Sequence, residues 1–169
     1  VVNNMKMLVG LTGKTGSGKS TILDCICLAL YGTTPRLENT NIQGATTDLE
    51  TEVKVNDSRL LMRRNTSECS VCLTFVGNDK KCYQAEWSCK RARGKVEGAL
   101  QSKTRQLTNL TDNFVYSKDK DIVPEIKRII GLDFEQFLRT VMLSQGEFTR
   151  FLNSKDNEKA EILEKLTGV

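Results

Sequence analysis

Histidine is absent from the 169 residues, tryptophan occurs once and proline twice, and no apolar run is long enough for a helical membrane span. The opening VVNNMKMLVG has no long apolar stretch ending at a small-residue cleavage site, so no secretory signal is read and a cytoplasmic setting is expected. The first residue is not methionine, which points to a trimmed or incomplete fragment. The lack of histidine also bears on the six cysteines. Cys69-x-x-Cys72 has the spacing of half a zinc site or of a redox pair. A structural zinc needs four ligands, and the other cysteines form no second pair of that spacing. Both residues lie in ECSVCLTFV, which reads as a strand, and residues three apart on a strand point to opposite faces. Reduced thiols in a cytosolic protein are the plainer account.

What is present is an ordinary balance of apolar and charged residues, in a chain long enough for one domain with its own core, here taken as residues 1–169. The net charge of +4 permits a nucleic-acid partner without requiring one. No internal repeat and no low-complexity segment interrupts it.

The stretch GLTGKTGSGKSTILDCICLALYG carries chemistry. Gly13, Gly18, Lys19 and Ser20 meet the pattern G-x-x-x-x-G-K-[ST]. Glycines let the backbone wrap around phosphates and aim its N–H groups inward, and a helix starting near Lys19 adds its positive end. Thr15, Gly16 and Ser17 complete the expected cradle for ATP. Lys19 is placed for the β- and γ-phosphates, the Ser20 hydroxyl for Mg2+, and Thr21 for the α-phosphate. The context fits: MLVGLT (7–12) reads as a strand, and Ile22, Leu23, Ile26 and Leu30 mark one face of a helix over 19–31, stopped by Gly32 with Pro35 just beyond. The alternative is a glycine- and lysine-rich turn matching by chance.

Hydrolysis needs, besides this cradle, a carboxylate pair at the end of a buried strand. The nearest imitation is CLTFVGND with Asp79, but GNDKK reads as the turn of a hairpin between strands at 69–76 and 82–89. The catalytic carboxylates are therefore not expected here. Residues 36–58 are polar and resist assignment, and 98–114 suggests a strand and a turn. From Ile122 the pattern turns helical, with Pro124 near the start of a first helix ended by Gly131. A second helix follows in DFEQFLRTVML, then the break SQGEFTRFLNS, and a last helix capped by Ser154 and ended by Gly168.

These residues resemble the SbcC family of SMC-like ATPases, which act with a nuclease in DNA break repair. The resemblance rests on TGKTGSGKSTILDCICLALYGTTPR, LLMRRNTSECSVCLTF, YQAEWSCKRARGKVEGALQ and IGLDFEQFLRTVMLSQGEFTRFLNSKDNEKAEILEKLTG, in that order. It implies an α/β P-loop NTPase: the N-terminal lobe of an ABC-type ATPase head, with an antiparallel β subdomain and a helical segment leading to a coiled coil. It further implies that hydrolysis waits on the C-terminal lobe of the same protein and on a second head as homodimer, and that the assembly works with an SbcD-type nuclease on double-stranded DNA ends. No membrane is among the expected partners. In LSQGE, Gln145 takes the role of the glutamine that meets magnesium or the attacking water. From the residues alone, an ABC signature or a chance turn stays open. The short VVNNMKMLVGL matches the family poorly, so adenine contacts are not assigned.

Lys90, Arg91, Arg93 and Lys95 cluster near Trp87, a basic loop beside an aromatic, suited to bind DNA phosphates and stack on a base. Arg63 and Arg64 are weaker candidates. A solvated hairpin end is the competing account. Phe148, Phe151, Leu152, Ile162, Leu163 and Leu166 recur at helical spacing, as packing residues or as a coiled-coil root. Two other functions stay open: a non-hydrolysing nucleotide-binding module, and another P-loop enzyme such as a small-molecule kinase.

Overall fold

The computed structural model describes residues 13–14, 16–38, 44–48 and 51–141. The expected strand at 7–12, the LSQGE segment with Gln145, and the last expected helix lie outside the described residues.

The sheet follows from strict alternation. In β3 (Glu68–Val76) and β4 (Cys82–Lys90), odd-numbered residues turn inward and even-numbered ones outward, which is the period-2 pattern of a half-buried strand. Antiparallel register sets Cys69 opposite Cys89, Val71 opposite Trp87, Leu73 opposite Ala85 and Phe75 opposite Tyr83. The last pair stacks at 5.8 Å between ring centroids. β5 (Thr104–Asn109) and the short β6 (Phe114–Tyr116) extend the sheet in the order β3-β4-β5-β6. Thus the two strands read from sequence are found, and the ambiguous stretch resolves into β5, a turn and β6. The polar region before them contains a separate two-stranded hairpin, β1 (Ala45–Asp48) with β2 (Thr51–Lys54), and a 3-10 turn at Ser58–Leu61.

Two helices cover the inner face. α1 (Lys19–Tyr31) packs on β3 and β4, and α3 (Asp119–Ile130) packs on α1 and β5. α2 (Pro35–Glu38) is a single turn between them in sequence. Ile122, Ile126 and Ile129 fall on one side of α3 and join Cys27, Ala29, Leu30, Tyr83 and Leu107 in the main core. A second core gathers Leu28, Val53, Met62, Trp87, Cys89 and Leu100. α3 starts three residues before the expected Ile122, so Pro124 stands in its second turn rather than its first. The ring removes a backbone donor on the exposed side of the helix, where solvent rather than the core faces the freed carbonyl. The far end of α3 is closed twice. Gly131 adopts a left-handed C-cap, and Asn78 from the β3–β4 turn donates from its backbone to Ile129 O and from its side chain to Ile130 O.

α4 (Phe134–Val141) opens with a capping box. The Asp133 carboxylate accepts from Gln136 N, and the Gln136 side-chain oxygen accepts from Asp133 N, both at 3.0 Å.

Candidate nucleotide site

The phosphate loop leads into α1 through Gly18, the N-cap, which sits in the left-handed region at φ 88. A side chain there would be strained, and the bare Cα keeps the approach to the helix end open. At Gly13 the reason is contact instead: a Cβ would lie 2.7 Å from Ser17 Oγ. Ser17 N donates to Lys14 O, tightening the loop.

Lys19 folds back over this loop. Its ammonium donates to Gly13 O at 2.6 Å, Lys14 O at 2.7 Å and Ser17 Oγ at 3.3 Å. No side chain caps α1 and no acidic residue stands in its first turn, so nothing negative from the helix competes for its N-terminal N–H groups. Ser20 and Thr21 in that turn are exposed. An ammonium held by main-chain oxygens, a glycine packed too closely for a Cβ, and an uncapped helix start make a donor set suited to a polyphosphate. Thr15 and Gln145 lie outside the described residues.

The opposite end of α1 is anchored. Arg105 reaches in from β5 and donates to Leu30 O at 2.8 Å while pairing with Asp119 at the start of α3. Its positive charge thus meets the negative end of α1. Tyr31, the last residue of α1, donates to Leu132 O at 3.2 Å and packs against Phe134 and Phe137 of α4. Burial, helped by Cys27 and Asp133, pushes the Tyr31 phenol up, so it remains a donor. In the second turn of α1, Asp24 pairs with Arg36 of α2 at 2.8 Å. Burial raises the Asp24 carboxyl, and Arg36 partly opposes that rise. Sequence reading misses Arg105 and Tyr31. For Arg105 a signal exists: in TRQLTN it shares the inward period with Leu107 and Asn109, an arginine where an apolar residue belongs.

Asp79 is a turn residue, as its sequence context implies. It accepts from Tyr83 OH, Lys81 N and Arg128, and these bonds occupy it structurally. Cys69 faces inward beside Cys89 while Cys72 is exposed on the other side of β3, so the two cannot share one metal ion.

The basic loop divides. Lys90, Arg93 and Lys95 are exposed, as are Arg63 and Arg64. Arg91 is buried, with its guanidinium donating to both oxygens of Asp48 and to Gly98 O. That pair ties the loop to the β1–β2 hairpin. Trp87 is fully buried in the second core, which corrects the expectation that it stacks on a base. Its position on β4 gives it the inward period, and a ring that large is worth more in the core than on the surface.

The AAA domain family model matches residues 6–168. The chain is 41% identical over 162 residues to the SbcC component of the SbcCD nuclease of Pseudomonas aeruginosa, covering 95% of this chain and 13% of that protein. The corresponding SbcC component from Rhodobacter capsulatus is 42% identical over 167 residues, again 95% of this chain and 13% of the relative. A probable DNA double-strand break repair Rad50 ATPase of Aquifex aeolicus is 28% identical over 159 residues, covering 94% and 14%. The chain therefore spans about an eighth of the length of these relatives.

Proposed function

Because the chain belongs to the AAA-domain family and is an SbcC-type head segment, we propose that it is the ATP-binding lobe of an ATPase that works with a nuclease on double-stranded DNA ends. The observation that carries this is the Lys19 ammonium held across the phosphate loop by Gly13 O and Lys14 O at an uncapped helix start. Bound magnesium ATP supplies the γ-phosphate whose transfer to water drives such a cycle. Lys19 exchanges main-chain carbonyls for phosphate oxygens, which are stronger acceptors for a cation. The cradle of Gly13, Thr15, Gly16, Ser17 and Gly18 holds the phosphates with backbone N–H groups. Ser20 and Gln145 are the chain's candidates for magnesium, and Thr21 for the α-phosphate.

Catalytic carboxylates are assigned to a C-terminal lobe, since Asp79, the nearest candidate among the described residues, is bound into a turn. Head dimerisation and an SbcD-type partner belong to the same reading. Lys90, Arg93 and Lys95 form its DNA contact, with Arg91 as the loop's internal support.

Magnesium-dependent ATP hydrolysis by this chain, alone and mixed with the relatives' C-terminal lobe, tests the reading. Turnover only on mixing, abolished by Lys19→Ala, is the expected result. Turnover by the chain alone would place a catalytic carboxylate in this segment. Nucleotide binding without turnover in either case would favour the non-hydrolysing module.

A further inference from the structure

We propose that the groove between β6 and α3 is a binding site for single-stranded DNA, with the Phe114 ring as its stacking surface and Lys118 and Lys120 as its phosphate contacts. This inference rests on the DNA reading above and adds to it a second site, apart from the basic loop.

The groove has a volume of about 560 Å3, within the range of ligand sites. Phe114 lies opposite Asn109 and Tyr116 opposite Leu107, both of them buried, so the two aromatics carry the inward period of the sheet. Tyr116 packs on the main core, yet Phe114 stays 55% exposed. Among the described residues it is the one exposed aromatic ring, whereas Trp87, expected from the sequence to stack on a base, is buried. The ring is held in place. It meets Tyr116 edge-on, with 4.8 Å between centroids. Tyr116 OH donates to Glu125 at 3.1 Å, and Arg128 forks onto both oxygens of Glu125. A surface fixed in this way loses little freedom when a base settles on it.

Lys118 and Lys120, both exposed, line the same groove. Arg128 neutralises Glu125, which leaves Asp121 as the lining carboxylate that opposes the two ammonium groups. An aromatic face beside a surplus of cations suits a single strand, because every base has a π-face and every nucleotide a phosphate. A duplex hides its base faces in the stack, so the ring selects an unpaired base. A peptide pairing with the outer edge of β6 would find a strand of three residues, too short for a ladder. Tyr116 aligns through Leu107 with Ala85 on β4, five residues before Lys90. At the usual strand rise and spacing the groove therefore stands roughly 20 Å from the basic loop. A duplex held at that loop can deliver a frayed strand to Phe114.

The test measures, by fluorescence anisotropy with the full-length protein, the binding of a labelled thymine oligonucleotide of about ten nucleotides and of a blunt duplex. Phe114→Ala should weaken the oligonucleotide about 5- to 150-fold, the worth of one stacked base, and leave the duplex within about 2-fold. Phe114→Tyr keeps a ring and should retain single-strand affinity. Lys118→Gln together with Lys120→Gln should flatten the single-strand salt slope by about 1.4, as expected for two phosphates. Reversal of Arg93 and Lys95 should act the other way, weakening the duplex more than the oligonucleotide. Unchanged oligonucleotide affinity in Phe114→Ala would overturn the proposal. So would an equal loss on the blunt duplex, or a loss on both that follows a fall in melting temperature. Displacement of the oligonucleotide by an acidic, aromatic-bearing peptide at lower concentration would make the groove a protein-docking site instead. If the unsubstituted protein binds neither DNA, the DNA reading falls and this site with it, whereas single-strand binding indifferent to Phe114 removes the site alone.

Discussion

Arg91 and Arg93 stand two residues apart in one basic loop and do different work. The Arg91 guanidinium is buried and forked onto Asp48, a geometry that fixes both partners. Arg91→Ala leaves Asp48 and Gly98 O without their donor and should cost about 1–3 kcal/mol in chemical denaturation. Arg93 adopts a left-handed backbone, φ 57, and its side chain is exposed. Reversing Arg93 together with Lys95 should leave the denaturation midpoint nearly unchanged while lowering DNA affinity and flattening its salt dependence, as loss of phosphate contacts does. Unchanged affinity and salt slope on double-stranded DNA would remove this loop from the DNA interface. From sequence the four cations are equivalent. What separates Arg91 is its partner 43 residues away, and no local pattern announces a contact of that range.

Among elements, the junction of α3 with the β3–β4 turn is held by charge. Arg128 donates to Glu125 and Asp79, Tyr83 OH donates to Asp79, and Tyr116 OH donates to Glu125. The Tyr83 hydrogen bond, followed by Lys81 N and Arg128, holds the Asp79 carboxyl below its ordinary value. For Glu125, the Arg128 hydrogen bond does the same against some desolvation. A depressed carboxylate contributes stability that is fully present above its unfolded pKa and is lost as pH falls through the folded one. The denaturation midpoint should therefore fall below about pH 4, the ordinary carboxylate range. Glu125→Gln should lower it at neutral pH and flatten that acid limb, and an unchanged limb would show that other carboxylates set the acid response. The elements here are unequally legible in the sequence. The β3–β4 hairpin is plain because an alternating apolar face and a turn signal agree. β1 and β2 are not, since their residues are mostly polar and exposed, and Val53 alone turns into the core, which gives no period to read. The early start of α3 is hidden because Asp119 and Lys120 belong to its solvated first turn, and apolar spacing begins only at Ile122.

At the scale of the molecule, the phosphate loop is legible in the sequence because its chemistry is local: glycines, one lysine and a helix start within a single turn of chain. What fixes the other end of α1 is not, because Arg105 and the α4 aromatics arrive from distant sequence. That arrangement predicts how the isolated chain responds to nucleotide. α1 is seated on β3 and β4 and pinned at Leu30 and Tyr31, so the cradle stands on a folded core rather than waiting for a second lobe to form it. Magnesium ATP should then stabilise the chain alone even where turnover is absent. A ligand at about one hundred times its Kd contributes roughly 2.7 kcal/mol, which for a domain of this size raises the melting temperature by about 5–10 °C. ADP should give much of the same shift, since a loop of this pattern cradles the α- and β-phosphates, which ADP retains. Lys19→Ala should remove most of the shift while leaving the nucleotide-free melting temperature nearly unchanged, because its three bonds are exposed ones within the loop. A large drop in that nucleotide-free value would make Lys19 a structural staple of the loop. Absence of any nucleotide shift in the unsubstituted chain would mean that the cradle needs the second lobe for binding as well as for hydrolysis.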